Sequence, residues 1–373
     1  MPTLVPPFVS LSTIDELLTL HFPLLPRTRP TCRALQDRIA HVEDVLRQAQ
    51  QPATDTLLRA AEAHDFAALI ASDCGMPDLA RDLCLRQHAV IHTATPVGVA
   101  HAKLTLQPLI NLARLHIRAG DGTAAYQLLH GLFQAVQSRA STVVDDVRFD
   151  GAHLVNDTDH AELTQWLWTI LLADGTRALA RAGRWDEATQ HAEQHHGIGT
   201  RLFDGRQVAI IAAHTQTALA MLHAADTPTP WERAIAACLA TVCSIRLQQD
   251  TDAAVSAMIA AYHAAASDTT DRVFQTRLPL TVTAYAAGHA GAVPLVTQVL
   301  RLAQDTADAY ITRDILAAAH LIPLTGSSID SLTGIVRRAG LGTGTVLPLL
   351  LDRLLNATEH AERLISTAAG SAT

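Results

Sequence analysis

Aromatic side chains are scarce, with Phe, Tyr and Trp making up only 4% of the 373 residues. That argues against a large aromatic ligand pocket and favours helices packed closely through small side chains. Long apolar runs are also missing. Although 49% of the residues are hydrophobic, no stretch reaches the ~18 consecutive apolar residues of a membrane-crossing helix. The start of the chain, Met1 to Ser12, has no basic segment ahead of an apolar run, so no secretory leader is expected. Lysine occurs once, at Lys103, and every other basic residue but histidine is arginine. Together with the abundant alanine, this is the skew of a high-GC bacterial genome, and it weakens any argument from arginine number alone. The net charge of −8 argues against a general nucleic-acid binder, which is normally basic. The cysteines Cys32, Cys74, Cys84, Cys238 and Cys243 are odd in number and form no CxxC pair. Reduced thiols in a cytoplasm are therefore expected, not a disulfide framework.

Sustained alternation of apolar and polar residues is hard to find, whereas apolar residues recur at spacings of three and four. The spacing predicts an all-α chain of about fifteen helices joined mostly by short turns. Ser12-Thr13-Ile14-Asp15-Glu16 offers a side-chain oxygen and acids at a first helix start. Continuous helices are expected over about 158–182, 205–225 and 344–366, the last with Pro348 in its middle. The segment 140–156 breaks the rhythm and reads as a loop or short extended excursion, with a lid over a groove as one use for it.

A repeated pattern organises the middle of the chain. Arg114 to Ala125 and Arg177 to Ala188 both read R-x3-R-A-G-x4-A. In the second copy Gly183, Trp185 and Ala188 resemble the centre of a tetratricopeptide repeat, where glycine ends one helix and a small alanine lets the next pack closely. In the first copy Gly120 and Ala125 match, and Gly122 stands in place of the aromatic. Fainter echoes occur at Gly75 with Ala80 and at Gly288, at unequal spacing. The resemblance implies an irregular tetratricopeptide-like α-solenoid: an N-terminal cap over 1–54, an array over 55–310 and a C-terminal cap over 311–373.

By that resemblance Arg114, Arg118, Arg177 and Arg181 line a concave groove, able to grip carboxylates or phosphates through paired hydrogen bonds. Asn111 and Asp174 lie one turn earlier, placed to steady the arginines or to contact a peptide backbone. Two histidine stripes, Cys84-His88-His92 and Glu187-His191-His195, have the spacing of metal ligands. We read them as surface or interface histidines, because with 19 histidines chance pairs are expected and no His-Glu-x-x-His order occurs. No metal or cofactor is expected. The glycine-rich corner from His196 to Gly205 lacks the ending of a P-loop and reads as an interhelix turn. Asp145-Asp146 and Asp150 miss the spacing of Mg2+-diphosphate motifs. Trp166, Trp168 and Trp231 are expected to pack rather than to stack on ligands. Ser331 to Leu354 resembles a helix-turn-helix around Gly340, but its second helix offers only Thr343, Thr345 and Arg353 among leucines. A capping pair is the preferred reading there, with a homodimer interface as an alternative.

The expected function is a cytoplasmic helical-repeat module that holds a peptide or protein segment with acidic or carboxylate groups. One alternative is a peptide-tailoring enzyme of natural-product biosynthesis, using polar residues near the turns (Asp73, Asn111, Asp174, His195, Asp204). Another is a transcriptional regulator acting through the C-terminal helix pair. The sequence does not decide whether a reaction is catalysed.

Overall fold

A computed structural model describes residues 11–27, 29–52, 54–91, 97–266, 272–287, 289–320, 322 and 324–371. The protein is all-α, and among the described residues one β-hairpin supplies the only strands. In chain order the first helices are α1 (Leu11–His21), α2 (Leu35–Ala49), α3 (Thr56–Asp73), α4 (Pro77–Ile91), α5 (Val99–Ala119) and α6 (Gly122–Ser138). The hairpin β1 (Ser141–Val144) and β2 (Val147–Asp150) follows, then α7 (Asp157–Ile170), a π-helical turn (Leu171–Gly175), α8 (Thr176–Arg181) and α9 (Trp185–Gln194). The remainder is α10 (Asp204–Ala212), α11 (Thr215–His223), α12 (Pro230–Arg246), α13 (Asp252–Ala265), α14 (Arg272–Tyr285), α15 (Ala292–Thr306), α16 (Ala309–Ala317), α17 (Gly326–Arg338) and α18 (Pro348–Ser371). Among the described residues no helix is long and apolar enough to cross a membrane.

The contacts divide the chain into two units, each built from two stretches. Unit I spans Met1–Cys32 and Leu179–Val336, and unit II spans Arg33–Ala178 and Arg337–Thr373. The cap–array–cap order read from the sequence is linear, whereas this division is interleaved.

In unit II each helix from α2 to α6 packs on the next, with α3 also touching α5 and α5 touching α7. Helix α18 lies across α2, α3 and α4. Apolar stripes from these helices, including Ile39, Leu83, Leu109, Leu132 and Leu167, close one continuous core. Burying such side chains contributes roughly 1.5–3 kcal/mol apiece. Local chemistry sets the helix ends. Asp55 accepts a hydrogen bond from Leu58 N at α3, and Asp121 accepts one from Ala124 N at α6, both at 2.9 Å. Unit I is organised around α12, which packs on α11, α13 and α14, while α14 also packs on α1, α15 and α16. Trp231, Phe274 and Leu278 sit in its core. Pro230 begins α12 behind a Thr229–Glu232 capping box.

The turn glycines take the left-handed conformation that favours glycine: Gly75 at φ +76°, Gly120 at +84° and Gly183 at +72°. Five residues after each comes an alanine that is completely buried: Ala80, Ala125 and Ala188. Gly288 lies outside the described residues.

Three helix expectations are corrected. The helix over 158–182 is interrupted by the π turn, whose extra residue swings Asp174 inward to be buried. The helix over 205–225 ends at Ala212 and restarts at Thr215, because Ala213 and His214 adopt extended backbone. Pro348 does not sit inside a helix. It is the first residue of α18, where its missing N–H costs nothing. Gly340, Gly342 and Gly344 all have positive φ. They hold the segment before α18 against the end of α3, where Gly342 N and Gly344 N donate to Asp73 O and Cys74 O at 2.7 and 2.8 Å. The excursion at 140–156 is a two-stranded hairpin with Asp145 and Asp146 in the left-handed region, as a two-residue hairpin turn requires.

Candidate functional site

Helix α5 carries Gln107, Asn111, Arg114 and Arg118 at spacings of four, three and four, which sets them on one face. Helix α3 supplies Asp65 and Asp73, the π turn supplies Asp174, and α8 begins with Thr176 and Arg177. These residues form a ladder of carboxylates, amides and guanidinium groups in unit II. Arg114 donates from Nε to Asp174 Oδ2 at 3.0 Å and from Nη1 to Asn111 Oδ1 at 3.3 Å. Gln107 Nε2 donates to the same Asn111 oxygen at 2.9 Å, and Asn111 Nδ2 donates to Asp65 Oδ1 at 2.9 Å. Arg177 approaches Asp174 Oδ1 from the other side at 3.5 Å. One turn along, Arg118 Nη1 donates to Asp73 Oδ1 at 2.8 Å and to Ser72 Oγ at 3.0 Å. Arg38 of α2 pairs with the second oxygen of Asp73.

The ladder has a floor and a rim. The Asp73 and Asp174 side chains are 3% and 8% exposed, whereas those of Arg114, Arg118 and Arg177 are 45%, 37% and 36% exposed. Each buried carboxylate is thus shared by two guanidinium groups, and the rim arginines are held in place from beneath. Asp65 lies about two turns earlier on α3, with part of its surface still accessible. Burial pushes its carboxyl up to about 7, against the opposing pull of hydrogen bonds from Gln87 and Asn111 and the charge of Arg114. Asn111 and Asp174 both contact Arg114, and Asp174 also meets Arg177.

The fourth expected arginine, Arg181, makes a different set of contacts. Arg181, at the end of α8, belongs to unit I and donates from Nη1 to the carbonyls of Thr19 and Leu20 at 3.2 and 3.1 Å. Arg114, Arg118 and Arg177 are brought together; Arg181 is counted with a different set of helices. Sequence reading missed Asp65, although an acid between His64 and Phe66 in an alanine-rich helix is a recognisable signal.

The remaining candidates have structural partners. His88 Nδ1 lies 3.2 Å from Thr105 O, and burial pushes the Cys84 thiol up to about 12. His92 lies outside the described residues. Glu187 pairs with Arg184, and His191 and His195 lie ring to ring with centroids 4.7 Å apart. Among the described residues no group of three or more His, Cys, Asp or Glu is disposed to hold a metal ion. Asp204 pairs with Arg27, and Gly205 fits because any Cβ there would meet Gly197 O at 2.4 Å. The hairpin at 141–150 packs on α6, and its tip is tied to α4 and α5, where Asp145 meets Arg81 and His116 Nε2. Arg353 spends its guanidinium on Glu43, at 2.8 and 2.7 Å. Trp231 is buried in unit I, and Trp166 and Trp168 pack half-buried on the core of unit II.

No family model, curated protein or solved structure matches the chain.

Proposed function

We propose that the protein is a tetratricopeptide-like binding module that holds an extended, carboxylate-bearing peptide or protein segment along the arginine rim of unit II. The rim carries this reading: three guanidinium groups, each more than a third exposed, are braced from below by buried carboxylates. A braced arginine has already lost much of its rotamer freedom, so less entropy is lost when it grips a second carboxylate. The repeated left-handed glycine and buried alanine at three helix hairpins support the tetratricopeptide-like arrangement. The test is a panel of fluorescent ten-residue peptides with acidic, neutral and C-terminally amidated sequences. Acidic peptides should bind, and Arg177→Ala should weaken them while the circular dichroism spectrum stays unchanged. Equal binding of acidic and neutral peptides would sink the proposal.

Asp65 favours a second reading, an enzyme acting on a peptide held there. A carboxyl titrating near 7 and still partly accessible can exchange a proton at neutral pH. That reading expects a mass change in a bound peptide that disappears in Asp65→Asn while binding persists.

A further inference from the structure

In unit I, α13 and α15 both pack on α14. They approach each other where Gly291, just ahead of α15, lies against Ile259 of α13. A Cβ on that glycine would come within 2.9 Å of Ile259 Cδ1. Farther along the two helices a cavity of about 530 Å³ opens among α13, α14 and α15. That is within the range of about 300–1,000 Å³ usual for small-molecule sites. Its floor is apolar and partly aromatic: Tyr262, Phe274, Leu278 and Val299 line it, each no more than 3% exposed. The chain has few aromatic side chains, and two of them meet here. The Tyr262 hydroxyl has no hydrogen-bond partner among the described residues, so a donor is held in the cavity lining with nothing from the helices to receive it.

The rim is set by α15, which presents Arg301 and Asp305 to the same cavity, one turn apart on one face and both exposed. They do not pair with each other, and neither has an ion-pair or hydrogen-bond partner among the described residues. Arginine ahead of the acid is the weaker order for two charges at this spacing. Asp305 also stands in the last turn of α15, which carries no basic residue and where the helix dipole disfavours negative charge. A cation is the fitting partner at Asp305 and an anion at Arg301. The rim therefore offers one unpaired charge of each sign, side by side above an apolar floor.

We infer that this cavity binds a free α-amino acid with a large apolar side chain. Arg301 takes the carboxylate, Asp305 takes the ammonium group, and the side chain lies against Tyr262 and Phe274. A simple carboxylate would bring its charge beside Asp305, and a simple amine would bring its charge beside Arg301. A zwitterion meets both residues with the favourable sign. The site lies within unit I and does not depend on the peptide rim of unit II.

The probe is L-phenylalanine, titrated calorimetrically into the full chain at low, fixed ionic strength. Phenylacetate, phenethylamine and glycine form the parallel arms; they lack in turn the ammonium group, the carboxylate and the side chain. L-Phenylalanine should bind at millimolar concentration or below and raise Tm. Each parallel arm should bind more weakly by about tenfold or more. Arg301→Gln and Asp305→Asn should each weaken L-phenylalanine by a similar factor, the effect of losing one charge-assisted contact. Both positions are exposed and unpaired, so both variants should fold and melt with the parent. Absence of L-phenylalanine binding at millimolar concentration, any parallel arm binding as tightly, or unchanged affinity in either folded variant each overturns the assignment.

Discussion

The two units give their arginines different sets of partners. In unit II the pairs Arg38–Arg118 and Arg114–Arg177 each rest on one buried aspartate, Asp73 and Asp174. In unit I Arg277 and Arg313 share Asp314, while Arg29 lies over the Tyr310 ring and Arg181 donates to the carbonyls of Thr19 and Leu20. A guanidinium bedded on a carboxylate is a positioned tool with little net field. A guanidinium on an aromatic face or a backbone carbonyl keeps its net charge. The difference shows that counting arginines says little. What decides their use is how many carboxylates the fold delivers to the same place.

The largest effect expected from this comparison is at Asp73. Arg38 is only 9% exposed, so Asp73→Ala takes a carboxylate away from a buried guanidinium. We expect a loss of about 3–5 kcal/mol, measured by urea unfolding. Asp314→Asn should cost less, because Arg313 and Arg277 retain access to water. Equal losses in the two variants would erase the contrast between the units.

The pH dependence should also run in opposite directions. His21 in unit I, 2.6 Å from Thr281 Oγ1, titrates at about 4 when folded, below its ordinary 6.5. Between these values the unfolded chain takes up the proton and the folded chain does not, so acidification destabilises, by about 3 kcal/mol in full. His21→Gln should flatten that slope. Asp65 in unit II titrates at about 7 when folded, above its ordinary 3.8. In its window the folded chain holds the extra proton, so stability falls as pH rises from about 4 to 7. Because Asp65 keeps some contact with water, the size is set at about 2 kcal/mol. Asp65→Asn should remove this loss and raise stability at pH 8 more than at pH 4.5. Urea titrations of parent and variants across that range check both signs.

The smallest effect on stability is expected at Arg177, whose contact with Asp174 is long at 3.5 Å and partly exposed. Arg177→Ala should cost under about 1 kcal/mol, yet weaken binding of acidic peptides. A variant that unfolds easily would show that the rim is structural after all.

Much of the fold was legible in the residues. The left-handed glycines at 75, 120 and 183, the buried alanines after them and the caps at Asp121 and Thr229 mark helix ends through neighbours a few positions away. The π turn was not legible, because Leu171 to Gly175 keep helical spacing and the shift that buries Asp174 depends on packing against α6. The candidate site was half legible. The stripe Asn111-Arg114-Arg118 follows from helical period, but its partners Asp65 and Asp73 come from α3, some forty residues upstream. Arg29 carried no signal at all: it lies in a proline-flanked connection, and its meaning comes from Tyr310, far along the chain.

What the amino-acid order determined alone is the helices, most of their ends and the faces they present, since propensity, capping and periodicity act over a few residues. What tertiary structure decided is the charge state and employment of the ionisable groups. Asp65 rises, His21 falls, and Asp73 and Asp314 each bind two arginines, because desolvation and Coulomb energy depend on distances that only the packed helices set.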